Sequence, residues 1–80
     1  MPIEPNLESK ELSQNIGRAI RALRTELGVS QEKFSEMTGH HPNYIGFLER
    51  GERTPNIYTL LRVAKALKME LSELLQKAGY

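Results

Sequence analysis

Glycine and proline residues divide this 80-residue chain into short segments, and their placement constrains the fold more than any other feature. Gly28, Gly39 and Gly51 each follow a segment in which apolar residues recur every three or four positions. Pro42 suits the first position of a helix, where its missing amide N–H would have no partner anyway. Since no strand-like alternation persists, the sequence predicts an all-α fold, a compact five-helix bundle.

The outer segments supply most of the predicted core. The first helix carries an apolar stripe and ends at Gly28, and the fourth is capped by Thr54 or Asn56. Residues 1–8 are acidic and contain prolines, so we expect a flexible arm followed by one domain over residues 9–80. The expected apolar positions of the first, fourth and fifth helices are Leu12, Ile16, Ile20, Leu23 and Leu27; Leu60, Leu61, Val63, Ala64 and Leu67; and Leu71, Leu74, Leu75 and Ala78.

Two very short helices are predicted in the middle of the chain. Ser30 caps the second helix, which turns Phe34 and Met37 inward and ends at Gly39. The third begins at Pro42 after a His41 cap, and it buries Ile45 and Leu48 before Gly51. Isolated helices of about eight residues are marginal in water, so tertiary packing has to hold them.

Composition excludes several classes of protein. The chain has no cysteine, which rules out disulfides and thiolate metal sites, and its net charge is only +1. No apolar run approaches the ~20 residues of a membrane span, and the start lacks the features of a signal peptide, so we expect a cytoplasmic protein. No catalytic frame or phosphate loop is visible, so an enzyme is not expected. His40 and His41 are adjacent and point apart, which argues against a metal site.

Two short helices joined at a glycine have the pattern of a helix-turn-helix. The stretch "SQEKFSEMTGHHPNYIGFLERGERTPNIYTLLRVAKAL" resembles the phage-repressor and Cro-like helix-turn-helix family, and the resemblance extends from Ile16 to Leu75. It implies a five-helix domain that binds double-stranded DNA by laying its third helix in the major groove, usually as a dimer. It implies no cofactor and no small-molecule ligand.

The resemblance also implies roles for individual residues. Among the expected base contacts, Asn43 alone has the bidentate amide that suits adenine, whereas Pro42 and Phe47 offer only apolar surface. Arg24 and Glu49 match an ion pair that ties the first helix to the recognition helix. For Tyr44, burial in the core stays open as an alternative to a phosphate contact. The expected base contacts are His41, Pro42, Asn43, Gly46 and Phe47, and the expected phosphate contacts are Gln31, Tyr44, Arg50, Arg53, Thr54 and Asn56.

His40 stands where the family usually has an apolar residue inside the turn. A half-buried imidazole at this position is predicted to make folding sensitive to pH, because burial disfavours the charged form.

The fifth helix offers apolar surface that a small domain covers poorly. We interpret Leu71, Leu74, Leu75 and Tyr80 as a homodimer interface, with closure of the monomer core as the alternative. A symmetric dimer would bind an inverted repeat with half-sites about one DNA turn apart. The rival function is an antitoxin-type or other module whose main partner is a protein.

Because the chain resembles a DNA-binding domain with no sensor domain after it, we expect a small autoregulator. A restriction–modification controller, a prophage Cro-like switch and an antitoxin all remain open as interpretations. The few residues after Leu75 favour a standalone regulator over an antitoxin.

Overall fold

The computed structural model describes residues 7–80, and within that range it contains five helices and no strand. The helices are α1 (Leu7–Leu27), α2 (Gln31–Thr38), α3 (Pro42–Glu49), α4 (Ile57–Ala66) and α5 (Leu71–Lys77). The predicted all-α five-helix fold is confirmed. The predicted arm falls largely on residues 1–6, which lie outside the described residues, and α1 begins at Leu7.

Local signals fix most of the helix ends. The Ser30 hydroxyl accepts the Lys33 amide at 3.0 Å and begins α2, and Asn56, rather than Thr54, caps α4 by accepting the Thr59 amide at 2.8 Å. Gly39 ends α2 in the left-handed conformation at φ 78°, which a residue with a Cβ adopts only with strain. These caps give the helix boundaries a local cause in the sequence.

One hydrophobic core joins all five helices. Ile20, Phe34, Ile45, Val63 and Leu74, one from each helix, are fully buried there. Helix α1 packs against α3 and α5, α2 packs against α3 and α4, and α4 packs against α5. Among the described residues, no helix is both long enough and apolar enough to cross a membrane.

Four predicted core residues lie at the surface instead. Leu12 is 37% exposed, Leu27 and Met37 are each 38% exposed, and Leu61 is 52% exposed. In α2 the buried face is centred on Phe34, Ser35 and Thr38, and at 100° per residue Met37 falls at its edge. In α4 the buried face holds Thr59, Val63 and Ala64, which turns Leu61 toward solvent. These four predictions were wrong because apolar character alone does not decide whether a helix residue is buried.

The predicted dimer surface on α5 is also corrected in part. Leu74 is fully buried in the core of the monomer, so it cannot contact a second chain. Leu71 and Leu75 are half-buried against the same core. Tyr80 is 57% exposed, and its hydroxyl accepts a hydrogen bond from the Asn15 amide at 3.0 Å. Closure of the monomer core therefore accounts for much of the apolar pattern of α5.

Candidate nucleic-acid interface

The turn between α2 and α3 aims the start of α3 outward. His41 has extended backbone and caps α3, with its Nδ1 atom accepting the Asn43 amide N–H at 3.1 Å. Pro42 follows at the first helical position, where it needs no N–H partner. His41, Pro42 and Asn43 are all exposed, so the first turn of α3 is available to a partner.

A buried carboxylate holds α3 in place. The side chain of Glu49 is only 2% exposed and accepts from Arg24 Nε at 2.6 Å and from Arg24 Nη2 at 3.1 Å. Gln31 Nε2 donates to the same carboxylate at 2.9 Å, and Arg24 Nη1 donates to the Val29 carbonyl at 2.8 Å. Since Arg24 lies on α1, Gln31 on α2 and Glu49 on α3, this network fixes the mutual orientation of three helices.

The outward face of α3 has few hydrogen-bonding groups. Asn43 carries an exposed amide, Phe47 is half-buried, and together with Pro42 and Gly46 they line a shallow cleft. Gly46 is buried, and a Cβ added there would lie 3.1 Å from Arg50 Nη1. This corrects the expectation that Gly46 lies open on the outward face: the Arg50 side chain lies over it.

Two arginines gather around Phe47 at the end of α3. The guanidinium carbon of Arg50 is 5.4 Å from the centre of the Phe47 ring and that of Arg53 is 5.0 Å away, both within cation–π range. Arg50 Nε also donates to Glu52 at 2.5 Å, and this hydrogen bond lowers the pKa of the Glu52 carboxyl below its ordinary value. Positive charge therefore collects beside the recognition helix, with Glu52 offsetting part of it.

The other expected phosphate contacts have protein partners that use some of their polar atoms. The Thr54 hydroxyl is hydrogen-bonded to the Ser13 hydroxyl at 2.8 Å, and the Asn56 side-chain oxygen caps α4. Gln31 has one of its two amide hydrogens on Glu49. Tyr44 is half-buried, with its ring centre 5.0 Å from that of His40, so burial accounts for part of its role.

The turn also holds an imidazole in an unfavourable position. The Nε2 atom of His40 is buried and finds no hydrogen-bond partner within residues 7–80. Burial lowers the pKa of His40 below its ordinary value, and the nearby positive charge of Arg62 lowers it further. The neutral imidazole is therefore the form that this turn accommodates.

Two residues that position the recognition helix were missed from the sequence. A Cβ on Gly17 would lie 2.2 Å from the Leu48 carbonyl oxygen, so only glycine lets α1 approach the end of α3 this closely. Arg62 of α4 donates to the Thr38 carbonyl at 2.5 Å and so ties α4 to the turn. Gly17 carried a signal, because a glycine inside a helix often has a packing reason. Arg62 looked like any exposed helix cation.

Comparison with known proteins identifies this arrangement. The helix-turn-helix family model matches residues 20–74, more than half of the chain. The chain belongs to this helix-turn-helix family. Control protein C.SmaI from Serratia marcescens is 35% identical over 69 residues, which cover 86% of this chain and 82% of the relative.

Solved structures of the family agree in fold. The restriction–modification controller protein C.AhdI from Aeromonas hydrophila superposes with a TM-score of 0.75 at 37% identity, covering 78% of this chain and 94% of the other. The P22 c2 repressor, solved in complex with a synthetic operator, gives a TM-score of 0.69 at 36% identity, covering 74% and 89%. Membership of this family makes the chain a DNA-binding transcription regulator, and the family is not enzymatic.

Proposed function

We propose that this protein acts as a homodimer on an inverted-repeat operator and regulates its own expression. The observation that carries the proposal is the exposed first turn of α3, whose direction is fixed by the buried Arg24–Glu49 pair. A helix that reads base edges has to be presented rigidly, since a small misplacement loses its hydrogen bonds. An inverted repeat lets two copies present this turn about one DNA turn apart.

Base reading is assigned to the outward side of α3. Asn43 pairs with adenine through its amide, and the outward nitrogen of His41 donates to guanine or a phosphate. Pro42 and Phe47 contact thymine methyl groups or sugars. Gly46, which the Arg50 side chain covers, adds no side chain of its own to this surface. Because few polar atoms reach the bases, DNA shape contributes a large share of the specificity.

Phosphate contacts flank this reading surface. Arg50 and Arg53 supply the charge, and Gln31 supplies its remaining amide hydrogen near the start of α2, where free N–H groups favour an anion. Thr54, Asn56 and Tyr44 complete the set with the polar atoms that their protein contacts leave available. Phosphate neutralisation makes the affinity fall steeply with salt.

Autoregulation is proposed from similarity to the control protein C.SmaI and to the restriction–modification controller protein C.AhdI. A regulator with the same domain can control its own promoter through its concentration alone. Such a protein acts in the cytoplasm, where bacterial DNA lies.

The decisive experiment is selection of bound duplexes from fragmented source-genome DNA at physiological salt, followed by sequencing. We expect an inverted repeat with half-sites about one helical turn apart, lying upstream of the gene for this chain. Recovery of no preferred sequence would reject sequence-specific binding and favour a protein partner. A single, unrepeated site would reject the dimeric arrangement.

Two exposed substitutions then test the assigned surface. We expect Asn43→Ala to relax the preference at one base pair and to weaken specific binding by about 1–3 kcal/mol. As its matched control, Arg53→Ala should weaken binding to all sequences alike and reduce the salt dependence. If Asn43→Ala leaves the base preference unchanged, the assigned reading surface is wrong.

A further inference from the structure

An apolar surface lies on α4 and is not used by the core. Ile57 is 63% exposed, Tyr58 is 59% exposed and Leu61 is 52% exposed, and Met37 of α2 lies beside the last two at 38%. Ile57 and Leu61 are four residues apart, so they share one side of the helix. We call these four residues the α4 face. None of these four residues is charged. Lys65 and Lys68, which follow the α4 face along the chain, are exposed cations.

The α4 face supplies most of the apolar surface that a standard interface needs. A large side chain presents about 200 Å² when fully exposed, and the exposed fractions of these four residues amount to about two whole side chains. The α4 face therefore offers roughly 400 Å² of apolar surface, which is the size of the largest apolar patch on a typical soluble monomer, and such patches are often functional. A standard interface buries about 800 Å² on each partner, a little over half of it apolar, which requires about 450 Å².

The centre of the α4 face is already ordered. The Tyr58 hydroxyl accepts a hydrogen bond from Arg62 Nη1 at 2.7 Å, and the Arg62 guanidinium carbon lies 5.4 Å from the centre of the Tyr58 ring. Arg62 is in turn held by the Thr38 carbonyl. A side chain fixed before association loses little conformational freedom when it binds, which favours its use as an anchor.

The position of the α4 face suits a two-fold axis. Helix α4 begins eight residues after the last residue of α3, and the loop between them carries Arg53 and Thr54, two of the proposed phosphate contacts. An axis through the start of α4 therefore runs close to the DNA-facing loop of both copies. On α5, by contrast, Leu74 is in the core and Tyr80 is exposed without an exposed leucine beside it.

We propose that the α4 face is the homodimer interface and that its partner is a second copy of this chain. The inference rests on the proposed function, which requires two copies on one operator. The two α4 helices cross antiparallel, so that Ile57 of each copy packs against Leu61 of the other and the two Tyr58 rings meet near the axis. In this isologous contact Lys65 and Lys68 lie outside the apolar centre, and the Arg62 guanidinium beside each Tyr58 ring stays bound to the Thr38 carbonyl of its own copy.

Sedimentation equilibrium on the full chain tests the location of the interface. Leu61→Lys places a charge in the contact and is expected to weaken dimerisation about 100-fold. Because Leu61 is exposed in the monomer, thermal unfolding of the variant and the wild type should be alike at concentrations where both are monomeric, which excludes a folding defect. The matched control is Tyr80→Ser on the α5 side, with similar exposure, and it should leave the dimer intact.

Disulfide trapping gives an independent readout, because the chain has no cysteine of its own. With oxidised glutathione as oxidant, the two thiols of Tyr58→Cys form one intermolecular disulfide and pass two electrons to the glutathione disulfide. We expect Tyr58→Cys to trap the dimer efficiently and Tyr80→Cys not to. Trapping by Tyr80→Cys alone, or an unchanged dimer constant for Leu61→Lys, would overturn the proposal.

A half-site duplex separates this inference from the proposed function. Leu61→Lys should bind a single half-site like the wild type and lose cooperative binding to the full inverted repeat. If the wild type itself binds both half-sites as independent monomers, the α4 interface is refuted. If the wild type recognises no sequence but dimerises through Leu61, the DNA proposal fails and the interface stands.

Discussion

Replacement of Glu49 by glutamine should remove much of the stability of the domain. Glu49→Gln keeps the shape of the side chain but removes the charge opposite Arg24, whose own side chain is only 12% exposed. Arg24 and Gln31 now donate hydrogen bonds to both oxygens of the Glu49 carboxylate. In the glutamine variant an NH2 group replaces one of these oxygens, so at least one of the donors would face another donor. A buried charge is left poorly compensated, which is the expensive way to break an ion pair.

The size of the loss follows from this geometry. Breaking a buried pair by removing one partner costs about 3–5 kcal/mol. Arg24 keeps its hydrogen bond to the Val29 carbonyl and a small exposed fraction, so we take the lower end, about 3 kcal/mol. For a domain of this size the unfolding midpoint should fall by ~12–24 °C.

Urea unfolding followed by circular dichroism measures this loss, and the chain offers a matched control. Lys33 and Glu36 form an exposed pair 3.7 Å apart, with both side chains more than half exposed. Glu36→Gln should therefore change the unfolding free energy by less than about 0.5 kcal/mol.

A double variant tests the cause of the loss. Arg24→Met combined with Glu49→Leu removes both charges, and it should be more stable than Glu49→Gln because no unpaired charge stays buried. A loss below about 1 kcal/mol for Glu49→Gln, close to that of an exposed pair, would refute the argument that burial makes this ion pair matter.

Other predictions concern the turn and the close contact between α1 and α3. Because the pKa of folded His40 is lowered, by burial and then by Arg62, the folded state binds fewer protons there than the unfolded chain. The contribution of neutral His40 to stability is therefore complete above the unfolded pKa of about 6.5, and it is lost as the pH falls below that value toward the folded pKa. His40→Val should make the unfolding midpoint less dependent on pH. Unfolding midpoints that change in parallel for the two proteins from pH 8 to pH 5 would reject this role of His40. Gly17→Ala should destabilise by about 3 kcal/mol or more, at or above the upper end of the usual overpacking cost, because its Cβ would lie 2.2 Å from the Leu48 carbonyl oxygen, a backbone atom that cannot move aside easily. The comparison in the same urea assay is Gly28→Ala, which meets no atom within 4 Å and should cost only the ~1–2 kcal/mol of a left-handed alanine; equal losses for the two variants would show that space at Gly17 is not limiting.

The parts of the fold that sequence predicted are those with local causes. Gly39 and Asn56 mark helix ends because their preferences depend on the few residues around them. Ile20, Phe34 and Val63 were predicted in the core because each lies near the centre of an apolar face. The order of the helices and their lengths follow from these signals.

What sequence did not predict depends on which side of a helix meets its neighbours. Met37 and Leu61 are apolar residues near the edge of a buried face or beyond it, and only the packing of α2 against α4 decides their exposure. Arg62 reaches the Thr38 carbonyl across 24 positions of sequence, a distance over which no local pattern extends. For the candidate site, the residues of α3 could be named in advance, but the cover that Arg50 places over Gly46 could not.

The cap of α3 restricts the hydrogen bonds that His41 can make to DNA. Because Nδ1 of His41 accepts the Asn43 amide, the proton of a neutral imidazole sits on Nε2, at the outer edge of an exposed residue. The ring can therefore donate a hydrogen bond to DNA but cannot accept one. It should bind next to the acceptors purine N7 and guanine O6, and it should disfavour the amino groups of adenine and cytosine, which are donors. The hydrogen bond that caps α3 thus determines that His41 meets a base pair as a hydrogen-bond donor.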